Sequence, residues 1–321
     1  MTSRDDIPTL EDVLRAAERI APHAHRTPVL TCRGLDDMTG ARLFFKCENL
    51  QRTGAFKFRG ACNAVMSLGD EEAGRGVATH SSGNHAAALA LAARLRGIEA
   101  HIVMPRTSRE VKKAAVAGYG AAITLCEPTL AARETTLEEV VARTGATFIH
   151  PYNDPRVMAG QGTAALELLD QAGDLDVVMA PVGGGGLASG TAIAVSGTSP
   201  GTPVILAEPA GADDAFRSLE AGHIVPSVNP HTIADGLLTS LGDRTFAVIR
   251  EQVERIVTVG EEAIVAAMRH VWERMKLIIE PSSAVPLAAL LEGGIDLAGQ
   301  RVGIILSGGN VDLESLPWIE R

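Results

Sequence analysis

The stretch Glu48-Asn-Leu-Gln-Arg-Thr-Gly-Ala-Phe-Lys-Phe-Arg-Gly-Ala61 decides how the chain is read. It follows an apolar run at 43–45 with strand character. It leads into a helical pattern in which Ala61, Ala64, Val65 and Leu68 share a face. Lys57 therefore lies near the start of a helix, between Phe56 and Phe58. The positive end of a helix dipole disfavours an ammonium, and apolar neighbours that strip water from it act the same way. A lysine with a lowered pKa is a usable nucleophile and base, and Schiff-base formation with a carbonyl is its known use. The competing reading is a surface lysine whose stem snorkels to solvent, as most lysines do.

Past Lys57 the chain alternates. Short apolar runs at 76–80, 100–104, 121–125 and 146–150 read as strands, and 86–96, 109–118 and 130–143 between them read as helices. This punctuation predicts a parallel sheet covered by helices. After Pro151 the pattern restarts, with a helix at 157–171 and strands at 176–182, 204–207, 255–259 and 301–306. A helix is expected at 261–275, and Thr9-Leu-Glu-Asp12 has the form of a capping box for an N-terminal one. The fold class is α/β, with two open lobes: a small one at 76–148 and a large one combining 1–75 with 149–321.

Composition excludes other classes. Aromatic residues make up 3% and the net charge is -10, which opposes base stacking and phosphate-backbone binding. No apolar run approaches the roughly 20 residues that cross a bilayer. The polar, acidic start carries no secretory or transit pattern. Cys32, Cys47, Cys62 and Cys126 form no CxxC pair or zinc spacing, so free thiols in a reducing, cytoplasmic setting are expected. No HExxH is present, and Gly197-Thr-Ser-Pro-Gly201 lies between a helix and a strand, the reverse of a nucleophile elbow.

Pro181-Val-Gly183-Gly184-Gly185-Gly186-Leu187-Ala-Ser-Gly190 follows a strand and opens a helix. Glycines let the backbone approach an anion, and free N–H groups at a helix start bind it. The local pattern fits two owners of that anion. Gly183-x-Gly185-x-x-Ala188, with Glu208 about 20 residues on, matches a dinucleotide fingerprint and hence an NAD-dependent dehydrogenase. The other owner is a phosphorylated cofactor used by Lys57. Thr79-His-Ser81-Ser82-Gly-Asn84-His85 sits between a strand and a helix and suits a carboxylate, or is an ordinary capping turn. Ser307-Gly-Gly-Asn310 ends the last strand, as a plain turn or a cofactor contact. Glu208-Pro-Ala-Gly-Ala212-Asp-Asp214 gathers oxygen ligands of the kind hard cations want, or is a solvated acidic loop.

Together the lysine segment, SSGNH, the tetraglycine run and SGGN resemble, over nearly the whole chain and in the family's order, the fold type II pyridoxal-phosphate enzymes of the tryptophan synthase β group. The likeness is to their serine racemase and threonine/serine dehydratase branch, which includes hydroxyaspartate ammonia-lyases. The resemblance implies that the cofactor sits between the lobes, with Lys57 holding it as a Schiff base. Phe56, Asn84, Gly183, Gly184, Gly185, Gly186, Leu187, Gly236 and Ser307 would be cofactor contacts, Asn84 at the ring hydroxyl and Ser307 as a neutral partner to the ring nitrogen. Ser81, Ser82, Asn84 and His85 would line the substrate carboxylate pocket, and Ser82 would be the second acid/base of a racemase. Glu208, Asp214 and the Ala212 carbonyl would hold Mg²⁺ or Ca²⁺, which accounts for Glu208 without NAD.

Arg133 would reach a second substrate carboxylate, as in 3-hydroxyaspartate. Tyr152 stands where mammalian-type racemases have Asn and several dehydratases an aromatic, which weakens a pure racemase reading. The implied activity is β-elimination of water from L-threonine, L-serine or threo-3-hydroxyaspartate by a homodimer. Amino-acid racemisation, the dehydrogenase and a ligand-binding protein on an enzyme-like fold are the alternatives. The chain ends soon after SGGN, so the regulatory domain of biosynthetic threonine deaminases is not expected.

Overall fold

The alternation of apolar runs builds two sheets. The computed structural model describes residues 7–319, so the residues 1–6 read above as leaderless lie outside it. The strands are β1 (Val29–Leu30), β2 (Arg42–Cys47), β3 (Val77–His80), β4 (Ala100–Pro105), β5 (Ala122–Cys126), β6 (Thr147–Phe148), β7 (Val177–Pro181), β8 (Val204–Pro209), β9 (Arg255–Val259) and β10 (Arg301–Leu306). The larger sheet has the order β1-β2-β10-β7-β8-β9, and the smaller β5-β4-β3-β6. Every pairing is parallel except β1 with β2. The strands of the larger sheet are nearly continuous apolar runs, as sheets covered on both faces require: β7 and β8 are buried from end to end.

The helix Lys57–Met66 fixes how the lysine enters the site. It crosses the helix Pro155–Ala172 at backbone contact, because a Cβ on Gly160 would lie 2.6 Å from Gly60 Cα. On its other side it carries Phe58, which is fully buried among Ala86, Leu89 and Val157. Burying such a ring contributes about 1.5–3 kcal/mol. The capping box at Thr9 is present, with Asp12 N–H donating back to Thr9 Oγ1.

Two elements differ from expectation. β6 is shorter than 146–150 because the chain leaves β3 after Phe148. Ile149 N–H still reaches Ala78 O at 2.9 Å, and a turn follows. The helix expected to run to 275 is α-helical over Glu261–His270, then winds wider as a π-helix over Val271–Met275 and stops at Lys276 with φ +60°. Trp272 Nε1 donates to Ile279 O across that stop at 3.0 Å. Among the described residues no helix is long and apolar enough to cross a membrane.

Candidate active site

Three neighbouring strands deliver their C-terminal ends to one place. β2, β10 and β7 are adjacent and parallel. The segment carrying Lys57, the turn at Ser307 and the loop Gly183 to Gly186 therefore emerge from the same end of the sheet, where open α/β sheets bind ligands. Phe56 N–H donates to Ser307 O at 2.9 Å, and Ala55 bridges Gly308. Lys57 is the first residue of its helix; its Nζ lies 5.1 Å from the Phe56 ring centre and donates to Pro151 O at 2.9 Å. Burial pushes the amine down to about 8, with the Glu280 carboxylate acting the other way. An appreciable fraction is thus uncharged near neutrality, chiefly through lost hydration.

The glycine loop is a cradle that side chains would fill. Gly185 has φ +87° and caps the helix Gly186–Thr198. The Tyr152 ring lies against Gly184, where a Cβ would fall 2.5 Å from it. Thr245 Oγ1 ties the loop down by donating to Gly184 O at 2.9 Å. The Gly236 carbonyl is 3.3 Å from the place a Gly183 Cβ would take, and Leu187 is buried behind. A phosphate fits such a helix start.

At the C-terminal ends of β3 and β6 the rings of His80 and Phe148 stack at 5.9 Å, and through His150 they reach Tyr152, which lies against Gly184. After β3 come Ser81 and Ser82, both half-buried, and then Asn84, which opens the helix Asn84–Arg96. The Asn84 amide donates to both Glu280 carboxylate oxygens, at 3.0 and 3.1 Å, and accepts from Asn310 Nδ2 at 2.9 Å. His85 is buried, with Nε2 3.4 Å from Ile149 O and Nδ1 unpartnered. Burial, then the Lys57 charge, hold its pKa well below the ordinary value. Arg133 lies on the helix Leu130–Thr144. It is half-buried, its Nε is enclosed without a partner, and its charge faces His80 and Cys126. Nothing in the sequence marked Glu280, a helix-preceding acid that reads as an ordinary cap. It is 5% exposed and burial pushes it up to about 7.

Glu208, Ala212 and Asp214 gather at the end of β8. Glu208 accepts from Ala215 N at 3.0 Å and Phe216 N at 2.9 Å, which caps the helix Asp214–Ala221. Both Asp214 carboxylate oxygens are buried and make no well-aligned hydrogen bond, with Ser227 the polar side chain beside them. Burial pushes Glu208 up to about 8 and Asp214 up to about 6. Buried carboxylate oxygen without a well-aligned hydrogen bond is a natural hard-cation ligand. Among the described residues no three His, Cys, Asp or Glu side chains converge on a metal position.

A family model described as pyridoxal-phosphate dependent enzyme matches residues 20–308. The chain belongs to that family. This pyridoxal-phosphate dependent enzyme is 55% identical over 312 residues to the β-hydroxyaspartate dehydratase of Paracoccus denitrificans, covering 97% of this chain and 99% of that protein. It is 48% identical over 309 residues to the L-threo-3-hydroxyaspartate ammonia-lyase of Saccharomyces cerevisiae, covering 96% and 95%. The crystal structure of serine racemase from Dictyostelium discoideum matches with a TM-score of 0.92 at 49% identity, covering 95% and 99%. The expected fold, two parallel-sheet lobes of the type II kind, is the observed one.

Proposed function

We propose that this pyridoxal-phosphate dependent enzyme is an ammonia-lyase that removes water from a β-hydroxy amino acid, releasing a 2-keto acid and ammonia. Among threo-3-hydroxyaspartate, L-serine and L-threonine, the first is favoured. The observation that carries this choice is Arg133, a half-buried guanidinium with an unpartnered Nε, beside His80 at the end of β3. Two relatives named for hydroxyaspartate support it.

Pyridoxal phosphate, when bound, supplies a ring that takes up charge developed at the substrate α-carbon. Gly183 to Gly186, Leu187 and Gly236 would hold its phosphate, Phe56 and Asn84 would contact its ring, and Ser307 would be a neutral hydroxyl partner for it. Lys57 would hold it through its amine and would serve as the general base that takes the substrate α-proton. Ser81, Ser82, Asn84 and His85 receive the α-carboxylate. Tyr152 walls the pocket, and residues 76–148 close over it as the small domain.

Removing Arg133 tests the substrate. A hydrogen bond to a charged group contributes about 1.5–3 kcal/mol, so Arg133→Ala is expected to lower kcat/KM for hydroxyaspartate roughly 10- to 150-fold and leave L-serine nearly unchanged. Keto-acid release over a panel of hydroxy amino acids measures both. Hydroxyaspartate turnover that survives Arg133→Ala intact removes the assignment. Racemisation is the second reading, resting on Ser82, and chiral analysis of recovered serine separates it from elimination.

Asp214, Glu208 and the Ala212 carbonyl are read as a Mg²⁺ or Ca²⁺ site on the strength of the buried Asp214 oxygens. Either cation is expected to raise the melting temperature of the wild type and not of Asp214→Asn. Equal melting with and without chelator in the wild type removes the site. The enzyme is further read as a cytoplasmic homodimer; the free state of all four cysteines supports the compartment.

A further inference from the structure

The turn that receives Lys57 carries an imidazole whose tautomer is set by the backbone. Lys57 Nζ donates to Pro151 O at 2.9 Å. The residue before that carbonyl is His150, where the chain has just left β6. Two main-chain N–H groups of the turn, Asn153 at 3.0 Å and Tyr152 at 3.3 Å, point at His150 Nδ1. A backbone N–H can only donate, so Nδ1 must accept and the ring proton is on Nε2. The ring is fixed in place as well. Tyr152 meets it edge-on at 4.5 Å, Phe148 at 5.6 Å and His80 at 6.3 Å between ring centres. Nε2–H has no partner among the described residues and is not enclosed. The imidazole is also uncharged at working pH: burial, then His80 and Lys57, push it down to about 4.

His150 neighbours Lys57, whose charge acts on it, and His80, whose ring centre is 6.3 Å away, while the Arg133 charge acts on His80. A 3-hydroxyaspartate with its α-carbon at Lys57 carries its β-hydroxyl one bond farther on, and His150 is the imidazole neighbouring Lys57 there. We infer that His150 Nε2–H donates a hydrogen bond to the β-hydroxyl oxygen of the substrate and steadies that oxygen as it leaves. This rests on the lyase reading above and assigns the leaving-group contact within it. In the step concerned, the α-proton passes to Lys57 and the Cα–H electron pair becomes the Cα–Cβ double bond. The Cβ–O bond breaks with its pair on oxygen, and that oxygen leaves as water after taking a proton from the Lys57 ammonium. His150 keeps its own proton throughout. A neutral, fixed donor suits this task, since it neither takes the proton the leaving oxygen needs nor has to reorient as charge builds.

The two amide isosteres split the two nitrogens. In His150→Asn, Oδ1 can take the place of Nδ1 and keep the turn's acceptor while the distal donor is lost. In His150→Gln, Nε2–H restores the distal donor. Losing one donor to developing charge costs about 10²–10³-fold in kcat. His150→Asn is therefore expected to lower kcat for hydroxyaspartate about 100-fold, with His150→Gln recovering a large part. Two readouts separate this from a structural fault. Elimination of chloride from 3-chloro-L-alanine, whose leaving group needs no proton or donor, should stay within a few-fold of wild type in His150→Asn. The inhibition constant of L-aspartate, which lacks the hydroxyl, should not change. A third measurement needs no variant: imidazole ¹⁵N shifts of the wild-type holoenzyme should show His150 as the neutral Nε2–H form across pH 6–9. Equal losses on the hydroxyl and chloride substrates, an unaffected His150→Asn, or a ring carrying its proton on Nδ1 each overturn the inference. A wild type that releases keto acid from no hydroxy amino acid overturns the lyase reading together with it.

Discussion

Lys57→Ala is expected to abolish measurable turnover, with a fall of about a thousandfold or more, since a positioned general base alone contributes about 10²–10⁴-fold. It should also prevent borohydride from fixing pyridoxal phosphate covalently to the protein. The wild type makes a pH prediction of its own. Only the neutral amine attacks an aldehyde, and burial places Lys57 at about 8 rather than the ordinary 10.5. Uptake of pyridoxal phosphate by the stripped protein should therefore accelerate with rising pH and level off above about 8. An ordinary lysine would still be climbing two units higher. The stability sign follows from the same shift. A lysine depressed in the folded state binds fewer protons there than in the unfolded chain between pH 8 and 10.5. Its burial is thus a cost carried in full below that window and relieved as pH rises through it. A colourless reconstituted protein that takes no label at Lys57 would refute the assignment.

The second large effect is on folding. Arg59→Ala is expected to destabilise the protein by about 3–5 kcal/mol, as removal of one partner of a buried ion pair does. Arg59 is fully buried two residues beyond Lys57 in the same helix. Its guanidinium grips Glu48 through Nε at 2.7 Å and Nη2 at 2.8 Å, and Glu167 through Nη1 at 2.7 Å and Nη2 at 2.8 Å. Lys46 completes the set, with Nζ 2.6 Å from Glu167 and no exposure. The charges balance, so deleting Arg59 strands Glu48, which is also wholly inaccessible. Arg59→Lys keeps the charge and loses the fork, and should fall between. Urea unfolding measures both, and an Arg59→Ala protein within about 1 kcal/mol of wild type would show that the cluster relaxes or hydrates. The cluster joins β2, the Lys57 helix and the helix Pro155–Ala172, so this helix start should be held rigid in the wild type.

Much of the architecture was legible in the residues. β9 and β10 run over the same residues the apolar pattern marks, and the helix Gly186–Thr198 starts where the glycines end. These features depend on neighbours a few positions away, and periodicity and turn chemistry record such neighbours directly. The assembly of Lys57, Ser307 and the glycine loop was legible only through family resemblance. Their meeting requires β10 to insert between β2 and β7, a strand order that no local pattern encodes.

By itself, then, the sequence determined the element types, the glycine-lined helix start and the lysine placed at a helix entrance. The tertiary structure alone decided which groups are charged, which are paired and which remain free. Asn84 finds Glu280 across 196 positions, and Arg59 finds Glu167 across 108. Arg133 is half-buried with its Nε enclosed, and the His150 tautomer follows from two N–H groups that converge only once the turn after β6 is made. The physical reason is that backbone propensity is a short-range property. Hydration and electrostatic potential at a side chain are set by everything packed around it, most of which comes from remote parts of the chain.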